Sequence, residues 1–195
     1  NGTKYYWKVV ATDPTGSTTS SVMNFTYISV VDDPSELLWS YEMDDDGLTT
    51  ATSQDGKYIV VGSMDDHVYL FQSNSSTPIW KYDTGKNVNS VAISADGWSI
   101  VAGSDSNDIL FWHRNSSTPV WEYDTDSDVL FVDITADGNY VVATNEAKQL
   151  YYFNTDEDTW DSYKYMWRTS TSYTMTGLSL ADNGMSLSVA AGEDL

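Results

Sequence analysis

The sequence predicts an all-β chain of β-propeller blades, on three observations: a 41-residue period, short strands of alternating polarity, and an Asp-Gly turn once per period. The period is plainest in residues 80–121. Shifted back by 41 residues, Trp80, Tyr82, Gly97, Gly103, Asn115 and Trp121 fall on Trp39, Tyr41, Gly56, Gly62, Asn74 and Trp80.

Strands and turns place three complete units and part of a fourth. The first unit has strands at 47–53, 57–64, 67–72 and 78–84, with the Asp55-Gly56 turn after the inner strand. The second repeats this at 88–94, 98–105, 108–114 and 119–125 around Asp96-Gly97. The third runs 128–135, 139–145 and 149–155 around Asp137-Gly138, then takes an insertion of five residues before its register returns at Trp167. The fourth offers 173–180, the Asn183-Gly184 turn and 185–192. Ahead of these, LLWSYEM (37–43) reads as an outer strand whose own blade is expected elsewhere.

Residues 1–30 differ in style. Two strand-forming runs, 5–11 and 22–30, flank the turn cluster DPTGS and predict a β-hairpin, with 31–36 as a linker into the repeats at 37–195. A hairpin alone cannot hold a sandwich core.

The repeated residues have structural reasons. Asp-Gly is expected to supply positive φ at both central positions of a type I′ hairpin turn. Trp and Tyr two residues apart share one face of the outer strand, so Trp39, Trp80, Trp121 and Trp167 are expected to pack between blades and not to bind a ligand.

Composition bounds the function. With 41% hydrophobic and 14% aromatic residues, the 195-residue chain can fill a core. A formal charge of -20 repels nucleic acid and anionic membrane surfaces. Zero cysteines remove disulfides, thiolate catalysis and zinc-thiolate sites. No apolar run approaches the ~18 residues of a membrane span. The chain begins with Asn1 and carries no signal peptide, so residue 1 is expected to be an internal point of a longer or processed polypeptide.

VNSVAISADGWSIVAGSDSNDILFW is similar to the WD40 pattern, with a small-residue inner strand, an SxDG turn and an apolar third strand. PIWKYDTG resembles the strand and turn of pyrroloquinoline-quinone-binding-like propellers, and the blend, with its SSTP turn, resembles repeats of large archaeal cell-surface proteins. The likeness covers about 160 residues. It departs from WD40 in lacking the Gly-His start and the Asp-His-Ser-Trp network, and from quinoprotein enzymes in lacking their adjacent cysteines and metal ligands, so no cofactor is carried over. TKYYWKVVATD and SSVMNFTY resemble the last two strands of a fibronectin type III or immunoglobulin-like domain, whose earlier strands are absent.

Candidate chemistry is sparse. His67 opens its strand and His113 closes the corresponding one, so the two sit at opposite ends of their blades and share no metal. Asp124, Asp126 and Asp128 have calcium-loop spacing, but Val129 replaces the required Gly and Thr135 the required Glu. No catalytic, cofactor or metal residue is expected. Blade topology gathers Asp44, Asp45, Asp46, Asp65, Asp66, Asp83, Asp105, Asp108, Asp124, Asp126, Asp128 and Glu146 at one end, a field suited to cations or basic partners. The other end carries the Asp-Gly turns and the NSS sequences. Asn1, Asn24, Asn74 and Asn115 match the N-x-Ser/Thr glycosylation acceptor, with tight polar turns an equal explanation.

The expected function is a non-catalytic extracellular or cell-surface structural or interaction protein. Its expected partners are other copies of itself or other surface proteins. The open edge MSLSVAAG is expected to be completed by strands of a neighbouring copy, which would assemble copies head-to-tail into a filament, or equally by strands of the same longer polypeptide. The alternative is a ligand-binding or quinone-dependent enzymatic propeller.

Overall fold

Each Asp-Gly or Asn-Gly turn closes a hairpin, and each hairpin opens a sheet. The computed structural model describes residues 8–12, 24–28, 38–155 and 165–192. Three four-stranded antiparallel sheets follow one another: β4 (Gly47–Thr52) to β7 (Trp80–Asp83), β8 (Val88–Ile93) to β11 (Trp121–Asp124), and β12 (Val129–Ile134) to β15 (Tyr165–Ser170). Within them lie β5 (Tyr58–Ser63), β6 (His67–Gln72), β9 (Ser99–Ser104), β10 (Asp108–His113), β13 (Tyr140–Asn145) and β14 (Gln149–Asn154). A two-stranded sheet, β16 (Thr174–Leu180) and β17 (Leu187–Gly192), comes last. The fold is all-β: three complete propeller blades, part of a fourth, and a hairpin ahead of them.

That hairpin is β1 (Lys8–Thr12) with β2 (Asn24–Ile28), and it does not stand apart: β2 pairs on its other edge with β3 (Trp39–Glu42). Its register is that of a blade. Phe25 faces Tyr41 and Ala11 as Val68 faces Tyr82 and Gly62. β1 and β2 therefore occupy the second and third places of a sheet whose outer strand is β3, which corrects the expectation that LLWSYEM has its blade elsewhere. The linker assigned to 31–36 and the insertion before Trp167 lie outside the described residues.

The turns also differ from the type I′ form expected. Gly56, Gly97, Gly138 and Gly184 have φ from +69° to +76°, but their preceding Asp or Asn residues do not have positive φ. The aspartate side chain is the cause. Asp55 Oδ1 accepts from Ser53 Oγ at 2.8 Å and from Lys57 N at 3.1 Å, holding Asp55 in a right-handed turn from which only the glycine must leave. Asp96 does the same with Ser94 and Trp98, and Asp137 with Thr135 and Asn139.

Both faces of each complete blade are buried, so the second strands read as apolar runs and not as alternations. In β5, Ile59 and Val61 pack towards β3 while Val60 packs towards the second blade. In β9, Ile100 and Ala102 pack back on the first blade while Val101 packs on the third. Gly62 and Gly103 are where the next blade comes closest. A Cβ on Gly62 would lie 2.5 Å from Val88 Cγ1, and one on Gly103 would overlap Val129 Cγ1. Gly62→Ala and Gly103→Ala are each expected to destabilise the fold by about 1–3 kcal/mol. Gly177→Ala, whose Cβ would meet Ala190 Cβ at an ordinary 3.5 Å, is expected to cost less than about 1 kcal/mol. Chemical denaturation of the three variants measures this ordering.

Candidate interaction surface

The repeated aromatics sit at the joints between sheets. Trp39 donates its indole N–H to the Ser73 carbonyl at 2.9 Å, and its ring lies 5.4 Å from Phe71 in the third strand of the following blade. Trp80 donates to the Arg114 carbonyl at 2.9 Å and packs on Trp112 at 5.8 Å. Trp121 is held between two rings, Phe111 of its own blade at 5.1 Å and Phe153 of the next at 5.4 Å, and is 5% exposed. The companion tyrosines come edge-on to the same next-blade rings, Tyr41 on Phe71, Tyr82 on Trp112 and Tyr123 on Phe153, at 5.2–5.4 Å. Trp167 departs from this pattern. It stacks on Tyr152 of its own blade at 5.5 Å with the ring planes 7° apart, and it remains 39% exposed. Beside it runs a groove of about 500 Å3 lined by Tyr152, Trp167, Gly184, Met185, Ser186 and Leu187.

At the Asp-Gly end the inner turns are stapled from blade to blade. Gln54 N–H bonds the Ala95 carbonyl, Ala95 N–H the Ala136 carbonyl, and Ala136 N–H the Asp182 carbonyl, at 2.9, 2.9 and 3.2 Å. An open cavity of about 590 Å3 beside them is lined by Gln54, Asp55, Ala95, Asp96, Ala136 and Asp137. Its carboxylates are engaged by their own turns. Bonding to the Lys57 ammonium 2.7 Å away lowers the Asp55 carboxyl to about 2, and the Thr135 hydroxyl holds Asp137 below the usual carboxylate range.

Asn74 and Asn115 are exposed at this same end, in equivalent turns. Thr77 N–H bonds Ser75 Oγ at 3.1 Å, and Thr118 N–H bonds Ser116 Oγ at 3.0 Å. Asn24 is the first residue of β2, and Asn1 lies outside the described residues. His113 is here too, stacked on Trp98 at 5.1 Å. Arg114 stands over the rings of Tyr58 and Trp98, at 4.1 and 5.5 Å, and donates to the Asp96 and Gly97 carbonyls.

The acidic end is the opposite one, and His67 lies there. Its Nδ1 is 2.6 Å from the Asp65 carbonyl oxygen, which requires the proton on Nδ1. Tyr69 donates its hydroxyl to Asp65 Oδ2 at 2.7 Å, and burial pushes the Tyr69 hydroxyl up. Asp108 is also raised by burial, against a hydrogen bond from Ser106. Asp124 and Asp126 form a tight turn, with Asp126 N–H on Asp124 Oδ1 at 2.8 Å and Asp126 at φ +61°. Among the described residues no three His, Cys, Asp or Glu side chains are grouped to hold a metal ion.

Sequence reasoning missed Asp133. Its register is that of Ala51 and Ala92 in the earlier units, where a small residue faces the next blade. Asp133 Oδ2 instead accepts Leu180 N–H of the fourth blade at 2.7 Å, while Oδ1 accepts Ile134 N–H at 2.8 Å. Hydroxyls make the corresponding link earlier: Thr49 Oγ1 accepts from Val91 N–H and Ser90 Oγ from Val132 N–H. The third unit has Phe131 at that place, so Asp133 takes over. The signal was a charged residue breaking an otherwise small-residue column.

Blades joined in this way define a WD40-like β-propeller fold. The chain is similar to one chain of a solved structure titled "Crystal Structure of Mitotic Checkpoint Complex", with a TM-score of 0.70 and 16% identity. The match covers 87% of this chain and 58% of that one, so this chain spans less than two thirds of its neighbour's length. At that identity the likeness is one of fold. No protein-family model and no curated protein matches the sequence.

Trp121→Ala is expected to cost about 3–5 kcal/mol, as for large buried aromatics, and Trp167→Ala about 1 kcal/mol or less because its joint is half filled. Denaturant midpoints of the two variants measure the difference. Burial raises the Asp133 carboxyl above its unfolded value of about 3.9. The stability this group contributes is then fullest at low pH and is lost as pH rises through its folded value. Asp133→Asn keeps an acceptor for Leu180 N–H without that ionisation, so relative to the parent it should gain stability between about pH 4 and pH 7. Melting temperatures across that range would show the gap widening upward.

Proposed function

We propose that this chain is a non-catalytic scaffold of an extracellular or cell-surface assembly, a propeller whose work is to hold and join other polypeptides. One observation carries the reading: the repeated polar and aromatic residues are consumed by their own turns and joints, which leaves them no ligand to hold. Asp55, Asp96 and Asp137 serve their turns, and Trp39, Trp80 and Trp121 fill joints.

Other features support it. The repeats resemble in sequence those of large archaeal cell-surface proteins. The NSS turns at Asn74 and Asn115 expose two acceptors on one end of the blades. The structural neighbour is, by its title, part of a complex. Cations screen the acidic end and need no dedicated site.

Two measurements test this reading. A quinone cofactor at saturating concentration should leave the melting temperature unchanged, and calcium should raise it no more than magnesium does at equal ionic strength, because only a ligand with a built site adds stability beyond screening. A rise of several degrees with quinone, or with calcium above magnesium, would replace the scaffold by a binding or enzymatic propeller. Protein from its native host should carry glycans at Asn74 and Asn115. Peptide mass spectrometry finding both side chains bare would count against the surface location.

A further inference from the structure

We propose that an N-linked glycan at Asn115 folds back on Trp98, its first sugar packing a face of C–H groups on the part of the indole that the protein leaves open, whereas a glycan at Asn74 finds no such platform. The proposal rests on the scaffold reading above, whose surface location supplies the glycans, and names what one of them touches. Trp98 is 37% exposed at the Asp-Gly end. His113 stacks on it at 5.1 Å with the ring planes 25° apart. The Arg114 guanidinium stands 5.5 Å from its centre but lies closer, at 4.1 Å, to Tyr58. What remains open of the indole is apolar surface beside a modification acceptor.

The turn that bears Asn115 starts from His113. Ser116 N–H bonds the His113 carbonyl at 3.1 Å, which makes Arg114 and Asn115 the two central residues of a β-turn. The base of that turn is fixed on both sides. Arg114 N–H bonds the Trp98 carbonyl at 2.8 Å, and the Arg114 carbonyl accepts from Trp80 Nε1–H at 2.9 Å. Asn115 therefore leaves the sheet one residue past the pair that Arg114 makes with Trp98. Asn115 and Ser117, the asparagine and the hydroxyl residue of the sequon, are both exposed, and the Ser117 carbonyl is held by Trp112 Nε1–H at 3.2 Å. A pyranose has a C–H face that gains by leaving water for an aromatic ring, while its hydroxyls stay solvated.

The first unit builds the same turn without the platform. Ser75 N–H bonds the Gln72 carbonyl at 3.0 Å, Ser73 N–H bonds the Lys57 carbonyl at 2.8 Å, and the Ser73 carbonyl accepts from Trp39 at 2.9 Å. Lys57 and Gln72 thus stand where Trp98 and His113 do, and the Lys57 ammonium is paired with Asp55 at 2.7 Å. In the third unit Asn139 takes the place of Trp98 and Asp156 that of Asn115. Of the three complete units, the second alone joins the sequon to an aromatic residue at that place. Asn74 is then a control built into the same molecule.

The test compares melting temperatures of the chain secreted from a eukaryotic host, which attaches N-linked oligosaccharide, with those of the same chain made without glycans in bacteria. Parent, Asn74→Gln, Asn115→Gln, Trp98→Ala and Trp98→Tyr are each measured in both forms, so that the effect of a substitution on the bare fold cancels. The expected result is a glycan-dependent rise that shrinks by roughly 2–4 °C in Asn115→Gln and in Trp98→Ala, and stays within about 1 °C of the parent's in Asn74→Gln. Trp98→Tyr, which keeps a ring, should retain part of it. Peptide mass spectrometry reads the occupancy of each site. Asn115 bare while Asn74 is occupied would overturn the proposal, as would a rise that survives Trp98→Ala or shrinks as much in Asn74→Gln as in Asn115→Gln. Both sites bare would overturn it together with the surface location. The other outcomes leave the scaffold reading standing, since that reading falls on a quinone response or on calcium exceeding magnesium, neither of which involves Trp98.

Discussion

A propeller blade has two faces, and a sheet of four short strands is stable only when both are covered. Everything else in this chain follows from meeting that demand with one repeated device. The outer strands β3, β7 and β11 each supply a Trp and a Tyr two residues apart. The third strand of the next blade supplies the ring they clasp, and the second strand supplies a small residue where the backbones come closest. Trp80, Tyr82, Trp112 and Gly62 are one such set. The set explains why the period is so strict around Trp and Gly and looser elsewhere.

The polar residues serve the same end. Asp55, Asp96 and Asp137 fix the glycine-bearing turns, and the stapled turns align the inner strands, which are further linked through Thr49, Ser90 and Asp133. Asp133 is the costly member of that series: its half-buried carboxyl accepts two backbone N–H groups, yet desolvation still outweighs them and raises it. A charged group was recruited where the repeat had lost its hydroxyl to Phe131.

Much of this was legible in the sequence because it repeats. The 41-residue shift located the strands, the turns and the two chemically different ends, since each repeated residue vouches for its copies. What did not repeat was not legible. The first hairpin looked foreign because its turn is long and its residues differ from the later units, and only the pairing of Phe25 with Tyr41 shows that it follows blade register. The turn type was misjudged because Asp-Gly is compatible with two geometries, and the aspartate's bonds to a hydroxyl two residues before it and an N–H two residues after it decide between them. At the candidate interaction surface, the sequence marked Trp167 as one more packing residue; its half-filled stack depends on what lies beside it, which spacing cannot tell.

The account makes joint filling, and not strand propensity, the source of stability. Native-state hydrogen exchange tests that most directly, because it ranks the sheets within one molecule. The amides of β5 and β9, whose blades are clasped on both faces, should exchange together and last, and those of β17 should exchange well before them. Equal protection of β17 and β9 in the isolated chain would contradict it.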